Sequence, residues 1–236
     1  MRTPPRTRSG FTLIELLTVI AIIAILMAML IPTANISKIV AKKAAAASDL
    51  HQFVAAVNAY HADYGVYPID PALETPTQRD IEYGAPGASL HNQEIVNVLR
   101  ADPNSADTLS ASGATPISLN PHAVAYLDIP LVKDSTNPRS GLGTGREPNG
   151  ITTKSGEWYD PFGQPYIVDI NGKNDGYLQP AGALLMRYCD INYVTINGQP
   201  ALQTGVIAGS IGADRIQSPA ATPRVYKNSD DVLSWQ

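Results

Sequence analysis

Two hydrophobic patterns follow each other near the N-terminus of the chain. Residues 11–32 are apolar except at Thr12, Glu15 and Thr18. At about 1.5 Å of rise per residue, a helix of this length crosses the hydrocarbon core of a bilayer. The first pattern therefore predicts a transmembrane half-helix over residues 11–32.

The second pattern is amphipathic. Beyond Pro32, apolar residues recur every three or four positions, which is typical of a helix that buries one face. Gly65 suits the end of a helix, and Pro68 prevents its continuation. We expect an amphipathic helix over residues 33–65, with a kink or a melted turn at Pro32. The apolar stripe consists of Ile36, Val40, Ala47, Leu50, Val54, Val57, Tyr60 and Tyr64.

Residues 66–159 show little periodicity and are rich in Pro, Ser, Thr, Asn, Gly and Ala. Residues 93–100 predict a short helix, because their apolar positions share one helical face. Residues 123–129 predict a short extended piece, and the glycine-rich residues 133–156 predict a long loop. We interpret the whole segment as a variable loop region.

Residues 160–236 predict a β-sheet domain with a C-terminal loop. Turn signals at residues 171–172, 175–176 and 197–198 separate short runs that are typical of strands. The expected strands are 166–170, 184–188, 193–196 and 206–210. The predicted fold class is therefore α+β: a long N-terminal helix, transmembrane in its first half and amphipathic in its second, packed on a small, mostly antiparallel β-sheet.

Composition and charge narrow the possible functions. The 236 residues carry a net charge of −4, which argues against a broad nucleic-acid surface, so we expect no nucleic-acid partner. Cys189 is the only cysteine, so no intramolecular disulfide can form. The span has basic residues on both sides, which leaves its orientation open. They are Arg2, Arg6 and Arg8 before it, and Lys38, Lys42 and Lys43 after it, where the lysines form either a headgroup contact or a solvated face.

The sequence offers no convincing catalytic site. Residues 208–212, A-G-S-I-G, approximate the G-x-S-x-G nucleophile elbow. That elbow needs a strand-turn-helix context and a later histidine, whereas the last histidine is His122. No histidine pairs with a cysteine at zinc spacing. We therefore expect no catalytic residues and a protein that is not an enzyme.

Residues 10–17, G-F-T-L-I-E-L-L, resemble the class III signal of type IV pilins and type II secretion pseudopilins. The resemblance implies that residues 1–10 are a prepilin leader. A prepilin peptidase would cut after Gly10 and methylate the new N-terminal Phe11. It also implies a bacterial inner-membrane protein with a single span, with its N-terminus in the cytoplasm and its C-terminal domain in the periplasm.

Two further segments resemble pseudopilins. Residues 64–68, Y-G-V-Y-P, resemble the turn that ends the pseudopilin helix. Residues 160–166, D-P-F-G-Q-P-Y, resemble a signature of the major, G-type pseudopilin of type II secretion. The resemblance implies a structural subunit that assembles with its own copies into a pseudopilus filament, which helps to export proteins. Its partners would be the prepilin peptidase, the minor pseudopilins, the assembly platform and the assembly ATPase.

Residues 210–214 and 229–235 resemble the two ends of the calcium loop of the major pseudopilin. The resemblance implies calcium as a cofactor, held by Asp214 and Asp231 with help from Asp230 or Ser234. Arg215 stands where the family usually has glycine, and a cation there would oppose calcium binding. The alternative is an acidic turn that is closed by an Asp–Arg pair.

Glu15 is the one carboxylate in the apolar span. A charge there costs free energy, so its presence suggests a function. Cleavage after Gly10 would free the amine of Phe11. In a filament core, Glu15 of a neighbouring subunit could neutralise that amine and set the stagger between subunits. We therefore assign Glu15 to assembly.

Two alternative functions remain compatible with the sequence. The first is a type IV pilin or minor pilin for adhesion, motility or DNA uptake, although such pilins often close a C-terminal loop with a disulfide. The second is a membrane-anchored enzyme or ligand-binding domain with a pilin-like signal, which the long segment 66–159 leaves open.

Overall fold

One long helix begins the described part of the chain. The computed structural model describes residues 10–74, 80–86, 89–102, 109, 111–144, 155–179, 191, 193–196, 198–214, 226 and 229–235. Helix α1 runs from Leu13 to Tyr64. It continues through Pro32, so the melted turn that the sequence suggested is absent. The helix ends as predicted, because Gly65 adopts a left-handed conformation (φ 72°) and its amide bonds to the carbonyl of His61 at 2.8 Å.

The chain divides into two compact units, Met1–Ala41 and Lys42–Gln236. In the first unit, α1 is long and apolar enough to cross a membrane, and none of the residues in its most apolar stretch is buried within the protein. Ile36 and Val40 are also 62% and 61% exposed, so their expected place in the buried stripe is wrong. They follow the helical spacing, but no element of the described chain covers them.

In the second unit, the C-terminal part of α1 buries one face in the main core. Spacings of three and four residues bring its buried apolar side chains onto a single stripe, as expected for an amphipathic helix. The Phe53 ring stacks on Trp158 at 5.2 Å between centroids. Burial of a large apolar side chain such as Leu50 or Phe53 stabilises the folded state by about 1.5–3 kcal/mol relative to leaving it exposed. The stripe consists of Ala46, Leu50, Phe53, Ala56, Val57 and Tyr60.

Within the described residues, eight short strands and two further helices follow α1. The helices are α2 (Gln93–Arg100) and α3 (Pro116–Leu119), and a single 3₁₀ turn spans Pro71–Leu73. The strands are β1 (Ile81–Tyr83), β2 (Gly141–Thr144), β3 (Ser155–Tyr159), β4 (Ile167–Ile170), β5 (Val194–Ile196), β6 (Gln199–Ala201), β7 (Val206–Ser210) and β8 (Val232–Leu233).

The main sheet has the order β1-β4-β7-β8, and every pairing in it is antiparallel. Strand β7 is buried at all five positions. Val206 and Ala208 lie in the core that contains the α1 stripe, whereas Ile207 lies in a second core with Leu178 and Leu233. This alternation follows the two-residue period of a strand. The predicted α+β class, a long helix with a mostly antiparallel sheet, is confirmed.

Several predicted strands agree with the structure. Strand 206–210 is confirmed as β7, while 166–170 and 193–196 each begin one residue later, as β4 and β5. The expected strand 184–188 lies outside the described residues. Gly198 (φ 77°) lies in the hairpin that joins β5 to β6, as its turn signal predicted. The turn signals at 171–172 and 175–176 do not close a hairpin, because the partners of β4 are β1 and β7.

The segment 66–159 contains more regular structure than its composition suggested. Helix α2 is confirmed at the predicted residues. The predicted loop over 133–156 is wrong at 141–144 and 155–156, where β2 pairs with β3, whereas 133–140 contain no helix or strand and 145–154 lie outside the described residues. Residues 123–129 form no regular strand. Gly141 explains the error: a Cβ at this position would lie 2.5 Å from the Pro130 carbonyl oxygen. Glycine here allows two backbones to approach closely and does not mark a loop.

Asn92, at the start of α2, connects two strands through its buried amide. Its Nδ2 donates to the carbonyls of Trp158 (2.9 Å) and Tyr166 (2.8 Å), and its Oδ1 accepts from the Trp158 amide at 2.8 Å. Gly84 permits this contact, because a Cβ there would lie 2.2 Å from the Tyr166 carbonyl. Asn92 thus pairs the Trp158 amide and the Tyr166 carbonyl, and it adds a second hydrogen bond to the Trp158 carbonyl, which also accepts from the Tyr166 amide at 3.0 Å.

We predict that Asn92→Ala lowers the free energy of unfolding by about 3 kcal/mol, because it leaves the buried Trp158 amide and the buried Tyr166 carbonyl without their side-chain partner. Urea unfolding of the detergent-solubilised protein, followed by tryptophan fluorescence, measures the change. Asn58→Ala, at an exposed position of α1, is the control and should cost less than about 0.5 kcal/mol. Equal unfolding midpoints for the two variants would contradict the role of Asn92.

Candidate functional site

The N-terminal motif forms a capping box at the start of α1. The backbone amide and the hydroxyl of Thr12 both donate to Oε2 of Glu15, at 2.8 and 2.7 Å. In return, the Glu15 amide donates to Oγ1 of Thr12 at 3.3 Å. This reciprocal bonding satisfies amides that the first turn of a helix cannot pair by itself. Glu15 therefore has a role within its own chain that the sequence analysis missed, although the T-x-x-E spacing of a capping box was visible.

The expected processing site is accessible. Phe11 is 80% exposed, and a Cβ built on Gly10 would meet no atom within 4 Å. Glu15 is exposed as well. The basic leader residues Arg2, Arg6 and Arg8 lie outside the described residues. The structure therefore brings Gly10, Phe11 and Glu15 together at one exposed helix start.

The turn at residues 160–166 is organised by the buried carboxylate of Asp160. Its Oδ1 accepts from the amides of Phe162 and Gln164, both at 2.8 Å, and its Oδ2 accepts from the Ser210 hydroxyl at 2.5 Å. Burial raises the pKa of Asp160, although these hydrogen bonds oppose the shift. The carboxylate thus fixes the turn and joins it to the end of β7.

Ser210 also links this turn by hydrogen bonds to the start of the C-terminal acidic loop, which contains Asp214, Asp230 and Asp231. Its hydroxyl oxygen accepts from the Gly212 amide at 3.2 Å. Because the hydroxyl is buried and donates to Asp160, and a turn follows β7 in place of a helix, residues 208–212 lack the arrangement of a nucleophile elbow. Residue 210 is therefore a structural link in the described part of the chain.

Three carboxylates converge at the acidic loop. Each of Asp214, Asp230 and Asp231 offers an oxygen, and these oxygens lie within 4.8 Å of one another. Oδ2 of Asp230 accepts from the amides of Ala213 (2.5 Å) and Asp214 (2.8 Å). Gly212 (φ 73°) makes room, because a Cβ there would lie 2.5 Å from the Asp230 carbonyl oxygen. The loop therefore holds its acidic side chains close together despite their mutual repulsion.

The geometry of these carboxylates fits calcium. Calcium binds hard oxygens at about 2.3–2.6 Å, so two ligands on opposite sides of the ion lie about 5 Å apart. Oxygens within 4.8 Å of one another can therefore share one ion. Ser234, the fourth expected ligand, uses its hydroxyl oxygen to accept from the Ala208 amide at 3.0 Å. Arg215 lies outside the described residues.

Two lysines of α1 contact this part of the domain. Nζ of Lys43 donates to the Ser229 carbonyl at 3.2 Å, next to Asp230, and Nζ of Lys42 lies 5.4 Å from the centre of the Phe162 ring. Both lysines are half-buried. Lys42 and Lys43 therefore do not form a purely solvated face, and the headgroup contact stays a prediction. Sequence reasoning could not find the contacts, because 186 residues separate Lys43 from Ser229.

Comparison with known families identifies the N-terminal motif. A family model described as the prokaryotic N-terminal methylation motif matches residues 5–31. No curated protein and no solved structure matches the chain significantly. The motif indicates a pilin-like or pseudopilin subunit, which is a structural family. With the single apolar N-terminal helix, it fits a membrane-anchored pilin-like protein.

Proposed function

We propose that this protein is a structural subunit of a type II secretion pseudopilus, most similar to the major, G-type pseudopilin. The observation that carries the proposal is the methylation motif at the start of a helix whose apolar first part is exposed. A monomer seldom leaves so much apolar surface exposed unless a membrane or another protein covers it. In the proposed cycle, the bilayer covers this surface first, and other copies of the chain cover it after assembly.

The contacts of the C-terminal part favour a pseudopilin over a type IV pilin. Two segments that resemble the major pseudopilin, residues 160–166 and 210–214, are joined by the hydrogen bond between Ser210 and Asp160. The segments therefore form one connected feature of the fold, which supports the proposal. The single cysteine, Cys189, also prevents the intramolecular disulfide that often closes the C-terminal loop of pilins.

The proposal places the protein in the bacterial inner membrane with its C-terminal domain in the periplasm. A prepilin peptidase would remove the leader, and the assembly ATPase and platform would move subunits from the membrane into the filament. Minor pseudopilins would complete the filament. The chain supplies filament structure in this scheme and no catalytic group.

We predict that the mature protein begins at methylated Phe11. The exposed Gly10 gives a peptidase access to the bond that follows it. Mass spectrometry of the membrane-extracted protein measures the new N-terminus. Gly10→Leu should block processing, because the peptidase requires a small residue, whereas Gly10→Ala is the matched small control. An intact leader in the wild type, or cleavage beyond Pro32, would contradict the assignment.

We predict that Glu15→Leu inserts and is cleaved but assembles poorly, because the amine of Phe11 loses its neutralising carboxylate in the filament core. The capping box supplies a sharper control. Glu15→Gln keeps a side chain that can cap the helix but removes the charge. If the charge matters, both variants fail to form filaments. If Glu15 acts only through the cap, Glu15→Gln forms them normally and the pairing proposal fails.

These variants also test the function when each is expressed in a deletion strain of the native host. Electron microscopy measures filament yield, and analysis of the periplasm and medium measures protein export. Exported proteins should accumulate in the periplasm of the deletion strain and of the Glu15→Leu strain. Normal export together with lost motility, adhesion or DNA uptake would instead identify a type IV pilin.

The proposal also includes a calcium ion in the acidic loop, held by Asp214, Asp230 and Asp231. Their converging oxygens and the close approach of the Gly212 backbone to Asp230 support it. The ion would offset the repulsion between three neighbouring carboxylates. Because it would bind the folded loop and not the unfolded chain, it would stabilise the domain by mass action.

We predict that the full-length protein in detergent melts roughly 5 °C higher in calcium at about a hundred times its Kd than in chelator. Asp214→Ala should abolish this difference, because it removes an exposed ligand without disturbing the Asp230 hydrogen bonds. Asp231→Ala should have the same effect. Asp175→Ala, in an exposed turn elsewhere, should retain the difference. If the wild-type protein has the same melting temperature in calcium and in chelator, the metal site is contradicted and an ion-paired turn is favoured.

A further inference from the structure

A cavity of about 270 Å³ lies between α1 and the segment 127–141. Asp49 and Gln52 of α1 line one side, and Asp128 and Ser140 lie on the other, with Trp158 also in the lining. Leu127, Ile129 and Pro130 add apolar surface. The cavity thus combines an apolar wall with two carboxylates, and part of its lining comes from the segment 66–159, to which the sequence analysis assigned no function.

The two carboxylates have no cationic partner among the residues that the structure describes. Asp49 accepts a hydrogen bond from the Tyr166 hydroxyl at 2.9 Å, which fixes the direction of its side chain. Asp49 is half-buried, and this burial raises its pKa, with the Tyr166 bond opposing the shift. Asp128 is exposed. Neither residue takes part in an ion pair in the described chain. A cleft with uncompensated charge of one sign concentrates ligands of the opposite sign.

The wall opposite α1 is held in place by backbone hydrogen bonds. The Leu142 amide donates to the Pro130 carbonyl at 2.9 Å, and the Val132 amide donates to the Leu142 carbonyl at 3.0 Å. Ser140 adopts a left-handed conformation (φ 50°), which costs free energy in a residue other than glycine. Its amide donates to the Asp160 carbonyl at 3.0 Å, which holds this conformation. The cavity is therefore preformed, as binding sites for small ligands usually are.

We propose that this cavity binds an organic cation, a guanidinium or primary ammonium group on a short apolar stem. Asp49 and Asp128 bind the charged group. Its apolar stem packs against Leu127, Ile129 and Trp158. The volume lies near the lower end of the range of about 300–1,000 Å³ that is typical of ligand pockets, so it suits a group the size of one side chain. The ligand is either a free small molecule or an arginine or lysine side chain of another polypeptide. This inference is independent of the proposed role in secretion.

Three features argue against other ligand classes. Two carboxylates repel an anion. A neutral apolar ligand would leave a half-buried charge without compensation, which is costly. A bare metal ion would leave the apolar wall unused. A cation with an apolar stem satisfies both surfaces.

The test uses the full-length protein in nonionic detergent micelles. A saturation-transfer NMR titration compares n-butylguanidinium with n-butanol, which has the same stem and no charge, and empty micelles correct for partitioning. We expect the cation to bind at least about fivefold more tightly than the alcohol. Asp49→Asn and Asp128→Asn should each weaken the cation about fivefold. The asparagine at position 49 can still accept from Tyr166, and position 128 is exposed, so both variants should fold.

Asp63→Asn is the matched control. Asp63 also lies on α1 and accepts from a tyrosine, Tyr126, at 2.6 Å, but it does not line the cavity. This variant should keep wild-type affinity. Equal binding of cation and alcohol, unchanged affinity in both cavity variants, or an equal loss in Asp63→Asn would overturn the proposal.

A second titration assigns the source of the cation. It uses a blocked tripeptide with a central arginine and its citrulline counterpart. Competition by the arginine peptide alone identifies a side chain of a partner polypeptide as a ligand. If butylguanidinium binds and neither peptide competes, the cavity takes free small cations. Competition by both peptides to the same extent would contradict recognition of charge.

Discussion

The second unit depends on one packing interaction, the burial of an α1 face in the core beneath the main sheet. Phe53 of α1 stacks on Trp158, and the Trp158 ring in turn lies 4.0 Å from that of Tyr166. Tyr166 directly precedes the central strand β4 and bonds to Asp49 on α1. The helix and the sheet therefore share their aromatic centre. The strands have only two to five residues, so the sheet depends on this packing against the helix for its stability.

Elements that are determined by residues close together in the sequence were predictable. Helix α2 followed from its apolar spacing, and the end of α1 followed from Gly65 and Pro68, since caps and periodicity act within a few residues. Strand β2 was not predictable in this way. Its Gly141 resembles a loop residue until the neighbouring Pro130 carbonyl is known, and only the folded chain brings that group close.

The candidate sites show the same division. The capping box of Thr12 and Glu15 spans three residues and could have been found from the sequence. The bond from Ser210 to Asp160 spans 50 residues, and that from Lys43 to Ser229 spans 186, so no local pattern contains them. The resemblance to a calcium loop selected Asp214, Asp230 and Asp231 correctly as neighbours, but the amides that orient Asp230 came only from the structure. The cavity beside Asp49 depends on a segment whose composition gave no signal.

The capping box also affects the cost of keeping an unassembled subunit in the bilayer. Oε2 of Glu15 takes both hydrogen bonds from Thr12, and within the described residues Oε1 takes none. A charge that is partly satisfied by its own helix is less costly to keep in an apolar surrounding than a bare one. In the proposed cycle, a subunit can therefore be stored in the bilayer as a stable reserve. In that cycle, the second oxygen would remain free to pair with the amine of an incoming neighbour while the capping box stays intact.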